Sequence, residues 1–221
     1  NELDPDFRVP SQWRFTGTVD YEADLGFLGD EWRLGADVVY SRVRDALSWT
    51  DLRTVPLGGA AALTPDGRQR YTAFNAAAGI NNDMLLTNTD QGYSWNIVGR
   101  FDKRWDSGFR LGASYTWQHV RDVNSGTSSV ALSNYNNSPA GIDPNNAAYG
   151  IANYQRDNAI RITAGFDKNL FGDNNTRIEL FFNSVSGQRF SYTMADVGLT
   201  GPNRSPVFGV TGNNTRFLMY V

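Results

Sequence analysis

The alternation of side chains along this sequence predicts an all-β fold, an antiparallel transmembrane β-barrel, and three observations carry that expectation. Apolar and polar residues alternate with a period of two over stretches about twice the usual length of a strand in a soluble sandwich. Connections alternate strictly between short and long, with every short one at the same end of the strands. Aromatic residues gather toward the ends of the apolar faces, where a bilayer has its interfaces.

The pattern is clearest after Gly92. Tyr93, Trp95, Ile97, Gly99, Phe101 and Trp105 fall on one face, while Ser94, Asn96, Val98, Arg100, Asp102 and Arg104 fall on the other. Beyond Asp106-Ser107-Gly108 it resumes, with Phe109, Leu111, Ala113, Tyr115 and Trp117 opposing Arg110, Gly112, Ser114, Thr116 and Gln118, so the two runs form a tight hairpin. Upstream, Trp13, Phe15, Gly17, Val19 and Tyr21 alternate with Arg14, Thr16, Thr18 and Asp20. Trp32, Leu34, Ala36, Val38 and Tyr40 then alternate with Arg33, Gly35, Asp37 and Ser41. Downstream, Ile160, Ile162, Ala164 and Phe166 oppose Arg161, Thr163, Gly165 and Asp167, and Ile178, Leu180 and Phe182 oppose Arg177, Glu179 and Asn183.

Strands are therefore expected near 11–22, 31–48, 92–105, 109–121, 158–170, 176–189 and 215–221. Short periplasmic turns are expected near 24–30, 106–108 and 171–175, and long extracellular loops near 49–91, 122–157 and 190–214. The run from Tyr93 to Trp105 makes about 12 steps of roughly 3.3 Å, which a tilt near 40° projects to about 30 Å, close to an apolar band of ~25 Å with its aromatic girdles.

This geometry assigns roles to both faces. Tyr93, Trp95 and Trp117 mark one membrane interface and Trp32, Trp105 and Phe109 the other, with Trp13 and Tyr115 as further interface aromatics. The polar face becomes the lumen wall, where Arg14, Arg33, Arg100, Arg110, Arg161 and Arg177 face Asp20, Asp37, Asp102, Asp167 and Glu179. A wall so charged suits a lumen filled by water or by another domain.

Bulk properties exclude several other classes. Mean hydropathy is −0.45, and no apolar run approaches the roughly 18 to 20 residues a spanning helix needs, so a helical membrane protein is excluded. The chain has no cysteine, which removes disulfides, thiolate metal sites and cysteine nucleophiles. Net charge is −3 with acids and bases interspersed, so a nucleic-acid partner is not expected. The sequence opens on Asn1-Glu2-Leu3 without an export signal, and an N-terminal part is expected to be missing.

A search for chemistry yields no expected catalytic, cofactor or metal residue, and the chain is not expected to be an enzyme. His119 is the only histidine, and a pair with Ser114 or a loop serine lacks any orienting group or nucleophile motif. Asp143-Pro144-Asn145-Asn146 and Gly172-Asp173-Asn174-Asn175 read as turns, since neither has the spaced acidic ligands of a calcium loop. Tyr135, Asp143, Asn145, Tyr149 and Tyr154 lie in the Asn-rich segment 122–157, where aromatic and amide groups are candidates for ligand contact.

The run Thr87-Asn88-Thr89-Asp90-Gln91-Gly92-Tyr93-Ser94, the hairpin Lys103 to Gly108 and Ala113-Ser114-Tyr115-Thr116-Trp117 together resemble the late barrel of TonB-dependent outer-membrane receptors of the Oar-like group. Phe7-Arg8-Val9-Pro10-Ser11-Gln12-Trp13-Arg14, Tyr40-Ser41, Ser128-Ser129 and Ser133-Asn134 extend the resemblance over most of the chain, and their order is its stronger signal. The resemblance implies a barrel of about twenty-two strands, of which this chain is the C-terminal part. It further implies a plug domain inside the barrel, a TonB energy-coupling protein as partner, and transport of an unknown substrate across the outer membrane. Outer-membrane lipid and lipopolysaccharide would surround it. A passive porin-like or adhesive barrel and a secreted carbohydrate-binding β-sandwich are the alternatives carried forward.

Overall fold

The computed structural model describes residues 2–59, 62–63, 67–73, 83–123, 126, 128–138, 140–143, 145–190, 193–194 and 219–220. The fold is all-β. Its body is a meander of six strands: β2 (Ser11–Ala23), β3 (Trp32–Asp51), β7 (Tyr93–Arg104), β8 (Phe109–Asp122), β10 (Asn158–Phe171) and β11 (Asn174–Val185). Each is antiparallel to the next, and they run 12 to 20 residues, about twice the common strand length.

Tight turns join the strands at one end of the sheet. At Asp106-Ser107-Gly108, Trp105 N donates to Phe109 O at 2.8 Å and Gly108 takes φ 91°, the left-handed residue that closes a three-residue hairpin. No other residue fits there, because a Cβ on Gly108 would lie 2.3 Å from the Asp167 carbonyl oxygen on the neighbouring strand. Between β2 and β3 the turn contains a short 3-10 helix, Gly26–Leu28, and between β10 and β11 it narrows to Gly172-Asp173.

The opposite end carries the long connections. Here β6 (Met84–Thr89) pairs with Ala46 to Asp51 of β3, beyond the stretch that pairs with β7, and β1 (Glu2–Leu3) adds to it in parallel. A ribbon of β4 (Thr54–Pro56) and β5 (Tyr71–Ala73), a helix α1 (Ala131–Asn137) and β9 (Gly150–Ile151), paired to the end of β8, complete this end. The few buried apolar side chains, Met84, Val120, Val123 and Tyr135 among them, are concentrated here. The sheet itself has no second layer among the described residues, and its apolar side chains stay exposed, Phe15 at 60% and Leu180 at 69%.

Several expected boundaries move. The segment 49–91 is not loop throughout: β3 runs on to Asp51 and recruits β6 as its partner, since a strand that long needs its backbone groups paired. The strand expected near 176–189 starts at Asn174 and ends at Val185. Of the strand expected near 215–221, β13 (Met219–Tyr220) is described, paired with β12 (Thr193–Met194); the rest lies outside the described residues, as does most of 190–214. The helix Ala131–Asn137 stands within an expected loop, and its Ser and Asn residues are poor helix formers. Side-chain bonds hold it instead: Asn134 bonds both backbone groups of Ser128, at 3.0 and 2.6 Å, and Ser138 Oγ donates to Asn134 O at 2.8 Å.

Candidate functional site

Residues paired across antiparallel strands point to the same face, so the register shows which side chains share a surface. One continuous row runs Phe15, Tyr40, Trp95, His119, and another Tyr21, Leu34, Phe101, Ala113, Ile162, Phe182. Every aromatic residue expected at a membrane interface lies on this face. Toward the loop end Tyr40 and Trp95 pack with ring centroids 4.4 Å apart, and Trp117 stacks on His119 at 6.0 Å. Tyr93 approaches the same imidazole at 5.7 Å, Trp13 lies beside Arg42 in register, and Tyr115 donates its hydroxyl to Asn158 at 2.5 Å. Toward the turn end, Trp32 meets Trp105 edge-on at 5.9 Å and Trp105 meets Phe109 at 5.4 Å.

Lys103 belongs to this apolar face by strand parity, a charged residue among apolar ones. It is 5% exposed; its ammonium donates to the Asp30 carbonyl, lies 3.7 Å from the Asp30 carboxylate and sits 5.7 Å from the Trp105 ring centroid. The alkyl stem thus lies along the aromatic cluster while the charge bends to the turn, the behaviour of a snorkelling cation. Its odd number in the series 101, 103, 105 was the available signal.

The opposite face is hollowed into a trough of about 770 Å³ whose lining includes Arg33, Arg100, Asp102, Arg110, Arg161 and Glu179. Arg100 bonds Asp20 at 2.5 Å and also Asp37, Arg110 bonds Glu179, and Arg177 bonds Asp167 at 2.7 Å. The route for two of these side chains is a glycine on the adjacent strand. Arg100 lies over Gly35 and Arg110 over Gly165, positions where a Cβ would come within 2.6 and 2.2 Å of the arginine. Arg14 donates to the Ser41 hydroxyl at 3.3 Å instead of reaching an acid. Arg33, Arg104 and Arg161 form no ion pair among the described residues. Phe181 also projects from this face, beside Thr163 in register, and is exposed.

The loop end assembles the residues expected to contact ligand, but three of them bond chiefly within the protein. Asn145 accepts from Asp51 N at 3.0 Å and from the Tyr135 hydroxyl at 2.9 Å, and donates to Asp51 O at 3.0 Å. Tyr135 and Asp51 are buried. Asp143 accepts from the Tyr71 hydroxyl at 2.7 Å, from Asn145 N at 2.9 Å and from Asn146 Nδ2 at 2.7 Å. These bonds join segment 50–71 to segment 135–146 across about ninety residues of chain. Burial, reinforced by the Asp143 carboxylate, pushes the Tyr71 phenol up to about 12. Tyr149 and Tyr154 remain exposed, the first with Arg121 at 5.8 Å from its ring centroid, the second with its phenol raised by burial and by Asp122.

His119 and Ser114 lie on opposite faces of β8 by parity, so they do not form a nucleophile–base pair. The Gly172-Asp173 segment is a bare turn between paired strands, with Asn174 Nδ2 capping Phe171 O at 3.1 Å. What the arrangement offers chemically is therefore two surfaces, one apolar with aromatic margins and one charged and hollow, topped by a hydrogen-bonded cap. No family model, curated protein or solved structure matches the chain.

Proposed function

We propose that this sheet is a section of the wall of an outer-membrane β-barrel, and that the barrel belongs to a TonB-dependent receptor of the Oar-like group, which moves a substrate across the outer membrane. One observation carries the membrane reading: a single sheet of 12- to 20-residue strands leaves the middle of one face apolar and without a covering layer among the described residues, bordered by aromatics at both ends. A water-facing protein does not tolerate an apolar surface of that extent. A soluble sandwich needs a second sheet against it, and among the described residues none lies there. In a barrel, lipid covers that face, β2 and β11 find partner strands, and the hollow face becomes the lumen. The turn end is then periplasmic and the capped end extracellular.

The receptor assignment rests on the sequence resemblance and on the density of charge in the trough, which suits a lumen occupied by water or a folded plug. Its test is fractionation of the full-length protein from its own cells, followed by intact mass and heat-modifiable gel mobility of detergent extracts. Recovery with the outer membrane at about a hundred kilodaltons supports the receptor. Recovery there as a small barrel of about eight strands favours a passive pore or adhesin, and recovery as a soluble species of 24.5 kDa overturns the membrane reading.

A further inference from the structure

We infer that Arg42 and Arg121, at the loop-end margin of the apolar face, form a site for phosphate groups on the headgroups of the lipid surrounding the protein. The inference rests on the membrane reading above, with the loop end outermost.

The register places Trp13, Arg42, Tyr93 and Arg121 in one row across β2, β3, β7 and β8. Strand parity puts all four on the apolar face, one step beyond the row Phe15, Tyr40, Trp95, His119. Two guanidinium groups therefore stand on the membrane side of the sheet, immediately outside the aromatic border. With strands about 4.8 Å apart, their stems are separated by roughly 10 Å.

Neither arginine has a carboxylate partner among the described residues. Three acids near that end are engaged elsewhere: Asp45 accepts from Ser11 Oγ at 2.8 Å and lies 3.6 Å from Arg44, Asp157 is held by Gln155 and Arg189, and Asp122 is bonded by Tyr154. Arg121 lies over the Tyr149 ring, and its Nε is buried without a hydrogen-bond partner. Arg42 is exposed, so its guanidinium is open to an acceptor from outside the chain.

The position selects the kind of acceptor. An arginine on the lipid face is expensive at midplane but costs only about 0–1 kcal/mol at the interface, where headgroups begin. The guanidinium fork matches phosphate oxygens in bidentate geometry. The aromatic row directly beneath gives the acyl part of the same molecule an apolar surface, from which a soluble anion gains nothing. The occupant is thus a phosphorylated lipid headgroup, and in an outer leaflet that is the phosphorylated glucosamine end of lipopolysaccharide.

The experiment titrates full-length protein in detergent with diphosphoryl lipid A, and with the same lipid after removal of both phosphates, reading tryptophan fluorescence. For the native protein, removing the phosphates is expected to weaken binding about tenfold or more, and for R42Q/R121Q that preference is lost while binding of the dephosphorylated lipid persists. R42K/R121K should keep part of the preference. Heat-modifiable mobility reports whether each variant folds; if the double variant does not, R42Q and R121Q are read singly, each with about a threefold loss of preference. Equal affinity of the native protein for the two lipids overturns the site, as does a preference that survives R42Q/R121Q. Competition by inorganic phosphate at the lipid's own concentration would assign the arginines to a soluble anion and overturn the lipid site. Outer-membrane recovery without phosphate preference sinks this inference alone, whereas failure to fractionate with the membrane sinks the membrane reading as well.

Discussion

Arg100 reaches its carboxylates by lying across Gly35 of the adjacent strand, so closely that a Cβ on the glycine would be 2.6 Å from the guanidinium carbon. Gly35 and Arg100 are register partners, and the missing side chain of one is the path of the other toward Asp37 and Asp20. The same device recurs where Arg110 crosses Gly165 toward Glu179. On a strand face crowded with long side chains, glycine here is a gap that lets a cation travel one strand sideways.

Gly35→Ala should therefore destabilise the native protein by about 1 kcal/mol, the scale of a partly exposed ion pair that is displaced. In an Arg100→Ala background the sign should reverse, with Gly35→Ala stabilising by roughly 0.5 kcal/mol, because the alanine then restricts the unfolded chain without meeting an obstacle. Urea midpoints of the four proteins in lipid vesicles measure the coupling. Equal effects in both backgrounds would mean that the arginine does not depend on the gap.

The two faces of β7 predict opposite responses to charge. Ile97→Arg, at a point flanked by Val38 and Trp117 on the apolar face, should destabilise by about 2–4 kcal/mol if lipid covers that face near midplane. Arg100→Leu on the trough side should have the smaller effect, since Asp37 keeps a bond from Thr18 Oγ1 at 2.9 Å. Folding equilibria in vesicles rank the two, and the reverse order would invert the facing of the sheet.

Asn145→Ala removes three hydrogen bonds that tie the loop-end cap together, two to the backbone of Asp51 and one from the Tyr135 hydroxyl. A local loss of about 2–3 kcal/mol is expected. It should show as faster hydrogen exchange and proteolysis in 50–57 and 131–146, with strand protection in β7 and β8 unchanged. Tyr149→Ala and Tyr154→Ala, at exposed positions, should leave that protection unaltered.

Tyr71 supplies the pH dependence of the cap. Its phenol is raised from 10.0 to about 12, first by burial and then by the Asp143 carboxylate that accepts its proton bond. A group whose folded value lies above its unfolded one contributes its full stabilisation below the unfolded value, and loses it as pH climbs through the folded one. The Tyr71 contribution is accordingly constant below pH 10 and disappears between pH 10 and about 12. Phenolate absorbance, with Tyr71→Phe subtracted, should show a midpoint near 12 that Asp143→Asn lowers only in part, because burial is the larger cause.

Much of the strand framework could be read from residue order, and particular misses show why the rest could not. The hairpin at Asp106-Ser107-Gly108 was legible because a turn residue with left-handed backbone separates two alternating runs. Strand β6 was not, since Met84-Leu85-Leu86-Thr87 is short, shows no alternation and stands beside Asn81-Asn82. Its strand state comes from the unpaired end of β3. Asn145 is a candidate for ligand contact, and residue order does not show that its amide also bonds the backbone of Asp51, 94 residues away.

Residue order alone assigns side chains to faces, from Tyr93 through Trp105 and in every other long strand, because the pleat turns each successive residue over by local geometry. The folded sheet sets which neighbours meet across strands: that Arg100 takes Asp20 and Asp37, that Arg33 and Arg161 take no acid among the described residues, and that Arg42 and Arg121 stand in one row with Tyr93. Those pairings depend on register, and register is set jointly by turns and backbone bonds between segments far apart in the chain. A shift of two residues would keep every side chain on its own face and change every partner.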